Sequence, residues 1–227
     1  MKIGILLTGH APDELEPHYG NYIEMFKSLL SGQDFEFSGY KVVDGEFPEA
    51  VTEADGWLIT GSKHGVYEDH PWIPPLEDLI RAAVTQNIPL VGVCFGHQVI
   101  AQALGGTVEK YDGGWAVGRQ TYDFSGTEIA MNAWHQDQVT ELPPGAVAIA
   151  TNDFCKNAAI LYGDRAITVQ AHPEFSADFV DGLINTRGRG VVPDDILDAA
   201  IDELDEPTHS QTIADQFADF FRQERPR

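Results

Sequence analysis

The sequence predicts an α/β protein of three layers, with helices covering both faces of a mixed, mostly parallel central sheet. Short apolar runs alternate with helical patterns over about the first 100 residues, as in parallel sheets with crossover helices. The middle third is rich in short β-type segments, which indicates an antiparallel extension of the sheet. At 227 residues, 43% of them hydrophobic, the chain can bury a large core.

The first half is assigned from apolar runs and from apolar residues recurring every three or four positions. The order is a strand at 2–7, a helix after Pro17, strands at 35–43 and 56–59, a helix after Pro75, a strand at 89–93 and a helix at 96–104. Gly105-Gly106 ends that last helix, because glycine favours the conformation that closes a helix.

The second half contains β-rich segments at 117–124, 146–151 and 158–162, which we interpret as the antiparallel extension of the same sheet. Gly163-Asp164 is predicted to turn a hairpin. Apolar stripes at helical spacing follow from about residue 190. We therefore predict a catalytic domain at 1–190 and a helical C-terminal extension at 191–227 packed on it.

Charge limits the partners of the chain. Thirty-six acidic residues against fourteen Lys and Arg give a formal net charge of -22, which repels nucleic acid and anionic membranes. No stretch approaches the roughly 20 apolar residues of a membrane span, and the run at 2–7 is too short for a signal-peptide core. The expected location is the cytoplasm, and a small molecule is the expected substrate.

Cys94 is the candidate nucleophile. It lies in the segment GVCFG at 92–96, between a buried strand and a helix. A nucleophile on such a turn needs small neighbours, and the following helix N-terminus favours thiolate. The alternative is that Cys94 is a small core hydrophobe.

His172 and Glu174 are the candidate proton donor and its orienting acid. Residues i and i+2 of an extended segment project to the same side, so Glu174 can hold one nitrogen of His172 while the other faces Cys94. A solvated loop is the alternative for this HPE segment. The order Cys, His, Glu argues against an ordinary α/β-hydrolase, in which the acid precedes the histidine.

The segments GVCFGHQ at 92–98 and HPE at 172–174 resemble the class I (triad) glutamine amidotransferase family over roughly residues 1–185. This family includes the glutaminase domains of GMP synthases and the stand-alone γ-glutamyl peptidases of plants. Residues 114–118 and 135–139 are similar to the peptidase-like branch. The resemblance implies a flavodoxin-like class I fold, a triad of Cys94, His172 and Glu174, and no cofactor.

The resemblance also implies residues around the triad. The oxyanion hole would take backbone N–H groups from Phe95 and from the loop containing Gly61 and Ser62, where many members carry paired glycines and a proline instead of Gly61-Ser62-Lys63. The predicted substrate-binding residues are Gln98, His135, Gln136 and Asp137. From the residues alone, the alternative interpretation of Gln98 is a surface amide of a helix, and that of His135 is a hydrogen-bonded structural histidine.

The remaining candidate residues, two histidines, the second cysteine and a tryptophan, carry weaker signals of function. His64 and His70 share a loop, but their spacing matches no zinc pattern, so we predict no metal. Cys155 is interpreted as a passive thiol. Trp115 is either a core aromatic or a wall of the substrate pocket.

Together these features predict a hydrolase that cleaves the γ-amide of glutamine, or of a γ-glutamyl compound, through a cysteinyl thioester. One alternative is a γ-glutamyl peptidase acting on γ-glutamyl peptides or amines. Another is a catalytically idle binding or regulatory protein on the same fold. An ammonia donor would need a separate synthase subunit, because the chain carries no phosphate loop of the kind found in ATP-dependent synthases.

Overall fold

The computed structural model describes residues 1–225. Its strands, in chain order, are β1 Lys2–Leu6, β2 Glu36–Tyr40, β3 Gly56–Ile59, β4 Leu90–Val93, β5 Thr107–Lys110, β6 Ala116–Phe124, β7 Thr127–His135, β8 Asp137–Glu141, β9 Val147–Ala150, β10 Ala159–Leu161 and β11 Ala166–Val169. Its α-helices are α1 Glu16–Tyr19, α2 Tyr22–Leu29, α3 Ile73–Thr85, α4 Phe95–Ala103, α5 Ala177–Leu183, α6 Asp194–Asp202 and α7 Ser210–Arg222.

A seven-stranded sheet in the order β2-β1-β3-β4-β11-β10-β9 forms the centre of the molecule. The pairs from β2 across to β11 are all parallel. β10 is antiparallel to β11, and β9 is antiparallel to β10. The predicted fold class, a mostly parallel sheet with an antiparallel extension, is confirmed.

The sheet has a separate apolar core on each face, which gives the three layers. Alternate residues of each strand point to opposite faces, so Leu58 packs in one core while Trp57 and Ile59 pack in the other. Helices α2, α5 and α7 cover the first face, and α3 and α4 cover the second. Both faces of the inner strands β3, β4 and β11 are therefore buried, as the continuous apolar runs predicted, whereas the edge strand β2 is partly exposed.

The prediction that all β-rich segments join this sheet is wrong for residues 117–124. They form β6, which pairs with β7 in a separate antiparallel ribbon, while β5 and β8 form a second pair. β6 and β7 satisfy each other's hydrogen bonds, and the ribbon packs Tyr122 and Met131 into the first core. The segments at 146–151 and 158–162 do join the sheet, and Gly163 turns the predicted hairpin with a φ of 61°.

Helix starts differ from the prediction at two places. The helix expected after Pro17 is interrupted by Gly20, and its main part, α2, begins after Asn21, whose side chain accepts the N–H of Glu24. α3 begins at Ile73, before the two prolines rather than after them. Proline fits the first turn of a helix because its missing N–H would have no partner there.

The last described helices bury apolar faces against the rest of the chain. Leu197 of α6 and Phe217 of α7 are both 0% exposed and belong to the core on the first face of the sheet. The division into domains at residue 190 stays a prediction. No helix within residues 1–225 is long and apolar enough to cross a membrane.

Candidate active site

Cys94 lies at the sharp turn between β4 and α4. Its φ and ψ are 52° and −103°, a backbone conformation that residues other than glycine rarely adopt. Its N–H donates to the carbonyl of Val169 at 2.9 Å, which ties the turn to the neighbouring strand β11. Such strained turns cluster at functional sites, because the surrounding structure must hold them in place.

Glycines on either side of Cys94 are required by close backbone packing. A Cβ on Gly92 would lie 2.5 Å from the carbonyl oxygen of Gly96, and a Cβ on Gly96 would lie 2.2 Å from that of Ile59. Neither position can accept a side chain without moving the backbone. α4 therefore lies close enough to β3 and β4 to fix the nucleophile at the edge of the sheet.

His172 and Glu174 follow β11, which pairs with β4 and so ends beside Cys94. His172 Nδ1 is 2.7 Å from Glu174 Oε1, and their side chains are 5% and 1% exposed. The ring of Phe175 stacks on that of His172, with centroids 3.9 Å apart. The backbone N–H of His172 donates to Asn132. These contacts fix the orientation of the imidazole.

The side chains of Cys94 and His172 lie close together, both against Gly61, and interact directly. Burial lowers the pKa of His172, but the Glu174 carboxylate and the Cys94 sulfur stabilise the imidazolium and raise the pKa above its ordinary value. Because Glu174 occupies Nδ1, Nε2 is the nitrogen that serves Cys94. The arrangement can hold a proton between a thiol and a nitrogen leaving group.

Backbone donors surround the same point. A Cβ on Gly61 would lie 2.7 Å from Cε1 of His172 and 3.6 Å from Cβ of Cys94, so the loop after β3 runs directly against both side chains. Ser62 holds that loop, since its hydroxyl donates to the carbonyl of Thr8 at 2.7 Å. Within residues 1–225, the N–H groups of Gly61, Ser62 and Phe95 donate to no other atom.

A cavity of about 560 Å³ opens over Cys94. It brings together eight of the ten site residues that the sequence predicted: Gly61, Ser62, Cys94, Gln98, His135, Gln136, Asp137 and His172. The other two, Phe95 and Glu174, lie behind this surface. Phe95 is fully buried.

The predicted substrate-binding residues are held by the protein itself. The amide nitrogen of Gln98 donates to the carbonyl of Asp137 at 2.9 Å. His135 Nδ1 donates to the same carbonyl at 3.2 Å, while its buried Nε2 has no partner among the described residues. Burial, with a smaller contribution from His172, lowers the pKa of His135 to about 3, so it is neutral. Its Nε2 is therefore an acceptor available to a ligand.

Comparison with known proteins places this site in a family. The family model for glutamine amidotransferase class-I matches residues 36–181. γ-Glutamyl peptidase 4 of Arabidopsis thaliana is 33% identical over 183 residues, which cover 74% of this chain and 73% of the plant protein. The chain belongs to the class I glutamine amidotransferase family.

Two further relatives show the range of this class I family. A GMP synthase [glutamine-hydrolyzing] of Azoarcus sp. is 35% identical over 136 residues, which cover 52% of this chain but only 25% of that protein. A glutamine amidotransferase structure from Thermotoga maritima superposes with a TM-score of 0.76, over 98% of this chain and 99% of the other. At 20% identity, this last likeness shows the fold.

The class I site also contains residues that the sequence did not single out. Tyr22 and Arg187 line the cavity and are hydrogen-bonded to each other, and Tyr22 also interacts with Cys94. Tyr22 looked like an ordinary member of an apolar helix face, so only its position beside Cys94 identifies it. Trp115 fits both interpretations, a core aromatic and a pocket wall, since it lines the cavity and packs against the core.

The second cysteine is distant from this chemistry. Cys155 is 2% exposed, and burial raises the pKa of its thiol to about 12. It does not line the cavity, and both cysteines are free thiols. These properties agree with the interpretation of Cys155 as a passive thiol.

Proposed function

We propose that this protein hydrolyses γ-glutamyl amide bonds through a covalent thioester on Cys94. The observation that carries the proposal is the position of Cys94, on a strained turn that opens into the cavity, beside the buried, hydrogen-bonded pair His172 and Glu174. A passive core cysteine needs neither the strain nor the buried histidine–carboxylate pair. For the same reason an idle binding protein is the weaker alternative.

The reaction proceeds in two halves. With the proton already held on Nε2 of His172, the Cys94 thiolate bonds to the γ-carbonyl carbon as the carbonyl π bond opens onto oxygen. The oxyanion that forms accepts hydrogen bonds from the N–H groups of Gly61, Ser62 and Phe95. When this intermediate collapses, the C–N bond breaks and His172 protonates the departing nitrogen.

Hydrolysis of the thioester reverses these roles. His172, now neutral, takes a proton from water as the water oxygen attacks the γ-carbonyl carbon. The C–S bond breaks, the sulfur leaves as thiolate beside the newly protonated His172, and a γ-carboxylic acid is released. Glu174 stays ionised throughout and stabilises the imidazolium form of His172.

Active-site labelling tests the nucleophile directly. A glutamine-mimicking electrophile should place one adduct on Cys94, as read by peptide mass spectrometry. Cys155→Ala is the matched control, and it should keep both labelling and turnover because Cys155 is buried outside the cavity. Labelling at Cys155, with activity retained in Cys94→Ala, would overturn the assignment.

Within this reaction class we favour γ-glutamyl peptides over glutamine as substrates, because the cavity is large and cationic. Cavities of about 300–1,000 Å³ hold drug-sized ligands, whereas glutamine is much smaller. Although the chain is strongly acidic, the lining of this cavity carries four basic residues, Lys63, Lys110, Arg187 and Arg189, against two acidic ones, Glu68 and Asp137. Only Arg189 has carboxylate partners among the described residues, Asp194 at 3.0 Å and Asp198 at 3.2 Å.

Unpaired cations in a cleft attract an anionic group. Glutamine releases neutral ammonia, whereas a γ-glutamyl peptide releases an amino acid or peptide that carries a carboxylate. Lys63, Lys110 and Arg187 are therefore suited to hold the leaving portion of a γ-glutamyl peptide. The similarity to γ-glutamyl peptidase 4 over most of both chains supports the same substrate class.

Steady-state assays of the purified chain separate the two substrate classes. We expect turnover of γ-glutamyl peptides without ATP or a second protein, at a higher kcat/KM than for glutamine. Negligible turnover of every γ-glutamyl compound, restored by adding a synthase subunit, would return the protein to the ammonia-donor class.

A further inference from the structure

The loop after β3 continues past the oxyanion residues into a cluster of three side chains with metal-binding atoms. His64 Nδ1 is 3.3 Å from Glu68 Oε2, and His70 Nε2 is 2.7 Å from the same oxygen. All three ligand atoms lie within 4.8 Å of one another. Within residues 1–225, it is the one group of three or more His, Cys, Asp or Glu side chains that converges in this way.

We propose that His64, Glu68 and His70 form a binding site for a divalent transition-metal ion of the zinc class at the rim of the catalytic cavity. Two imidazole nitrogens and one carboxylate oxygen are a common ligand set for zinc, with the remaining positions taken by water or another ligand. The mechanism proposed above does not use this ion, and neither histidine has a role in it.

The distances suit such an ion after small side-chain rotations. Ligand atoms at about 2.1 Å from a tetrahedral zinc lie about 3.4 Å from one another. The two nitrogen–oxygen separations, 3.3 Å and 2.7 Å, lie just below and well below this value, and all three ligand atoms lie within 4.8 Å of one another.

The loop is fixed on both sides of the cluster, so the three ligands are held near one another. The N–H of His64 donates to the Ser62 hydroxyl, and the N–H of Glu68 donates to the carbonyl of Gly65 at 3.1 Å. The ring of His70 stacks on that of Trp72 at 5.8 Å and 15°. Trp72 is itself buried and contacts Phe95 beside the nucleophile.

Access and charge also suit a cation. The side chains of His64, Glu68 and His70 are 23%, 44% and 30% exposed, so an ion can enter and keep solvent ligands. Lys63 is the adjacent cation that opposes binding, whereas the net charge of -22 favours it.

The metal-binding test uses Cys94→Ala as the background, because the thiol of Cys94 would itself bind the probe. The protein is stripped with a chelator and titrated with Co²⁺ by visible absorption, then with Zn²⁺ by competition against a chromophoric chelator. We expect one ion per chain and absorption bands typical of nitrogen and oxygen ligands.

Added to that background, His64→Ala and His70→Ala should each weaken binding at least tenfold, and Glu68→Gln should weaken it less. His18→Ala is the matched control, since His18 is an exposed histidine outside the cluster, and it should leave affinity unchanged. Thermal melting without metal checks that each variant is folded. Absence of binding at millimolar metal, or equal affinity in the two cluster histidine variants and the control, would overturn the proposal.

Discussion

The catalytic centre and the rim of the same cavity are built in different ways. At the centre, His172 and Glu174 are almost fully buried, and Cys94 lies on a turn whose glycines are packed against backbone. At the rim, Lys63 and Arg187 reach the cavity without a carboxylate partner among the described residues. The groups at the centre are fixed by buried packing, whereas these two basic side chains at the rim are not paired with a carboxylate among the described residues.

This contrast separates two kinds of property. The backbone packing of the sheet fixes the positions of the reacting groups, so a change there alters turnover for every substrate. Rim side chains can be replaced without disturbing the core, so a change there alters which substrate is preferred. Four predictions test that division.

The largest effect is expected for His172→Ala. The variant loses the group that protonates the leaving nitrogen, so kcat should fall by at least about 10³-fold for glutamine and for γ-glutamyl peptides alike. Steady-state kinetics on folded protein, checked by thermal melting, measure this. A loss confined to one substrate class would contradict the separation of centre from rim.

Gly61→Ala should produce the next largest effect. Its new methyl group would lie 2.7 Å from Cε1 of His172, so the imidazole or the oxyanion loop must shift. Misplacement on the order of 1 Å can cost about 10²-fold in rate, and we expect a fall of about that size in kcat. Lys63→Ala, assayed on glutamine, is the matched control in the same loop, because it leaves the hydrogen bonds of the Ser62 hydroxyl in place. Equal kcat in both variants would argue against close packing at the centre.

The sequence predicted the centre better than the rim. Every signal for the Cys94 turn lies within a few neighbouring residues: an apolar strand, two glycines and a helix. The spacing of His172 and Glu174 is equally local, but their position beside Cys94 depends on the parallel pairing of β4 with β11. Periodicity identifies a strand without naming its partner, which is also why residues 117–124 were assigned to the wrong sheet.

Rim residues had no such signal. Arg187 lies in a π-helical turn at Ile184–Gly188, between α5 and the tail, and one arginine in a helical segment indicates no function. The spacing of His64, Glu68 and His70 matches no zinc pattern, and only the folded loop brings their ligand atoms together. Their positions follow from tertiary packing, which the sequence pattern does not describe.

Glu174→Gln should have a smaller effect on rate and a distinct effect on pH dependence. The amide can still orient His172 but no longer stabilises the imidazolium, so kcat should fall by roughly 10- to 100-fold, less than in His172→Ala. Because His172 donates its proton, activity is lost as pH rises through its raised pKa. Removing the carboxylate, the main cause of that rise, should move this alkaline limit to lower pH. The pH profile of kcat/KM measures the shift, and an unmoved limit would assign it to another group.

Arg187→Gln should have the smallest effect, and one restricted to substrate choice. The guanidinium is bonded to the carbonyl of His10 and to Tyr22 but to no carboxylate of the described residues, so it is available to a carboxylate on the leaving portion of a substrate. A charge-assisted hydrogen bond at this partly exposed position should contribute about tenfold to kcat/KM for a γ-glutamyl peptide with a free carboxylate. For the corresponding peptide amide and for glutamine, kcat/KM should fall much less.

Arg189→Gln is the matched control, because Arg189 lines the same cavity but is already paired with Asp194 and Asp198. The ratio of kcat/KM for acid and amide substrates is the deciding measurement. A fall shared equally by all three substrates would instead mean that Arg187 acts through Tyr22 on the catalytic centre, and the centre and the rim would then be one unit.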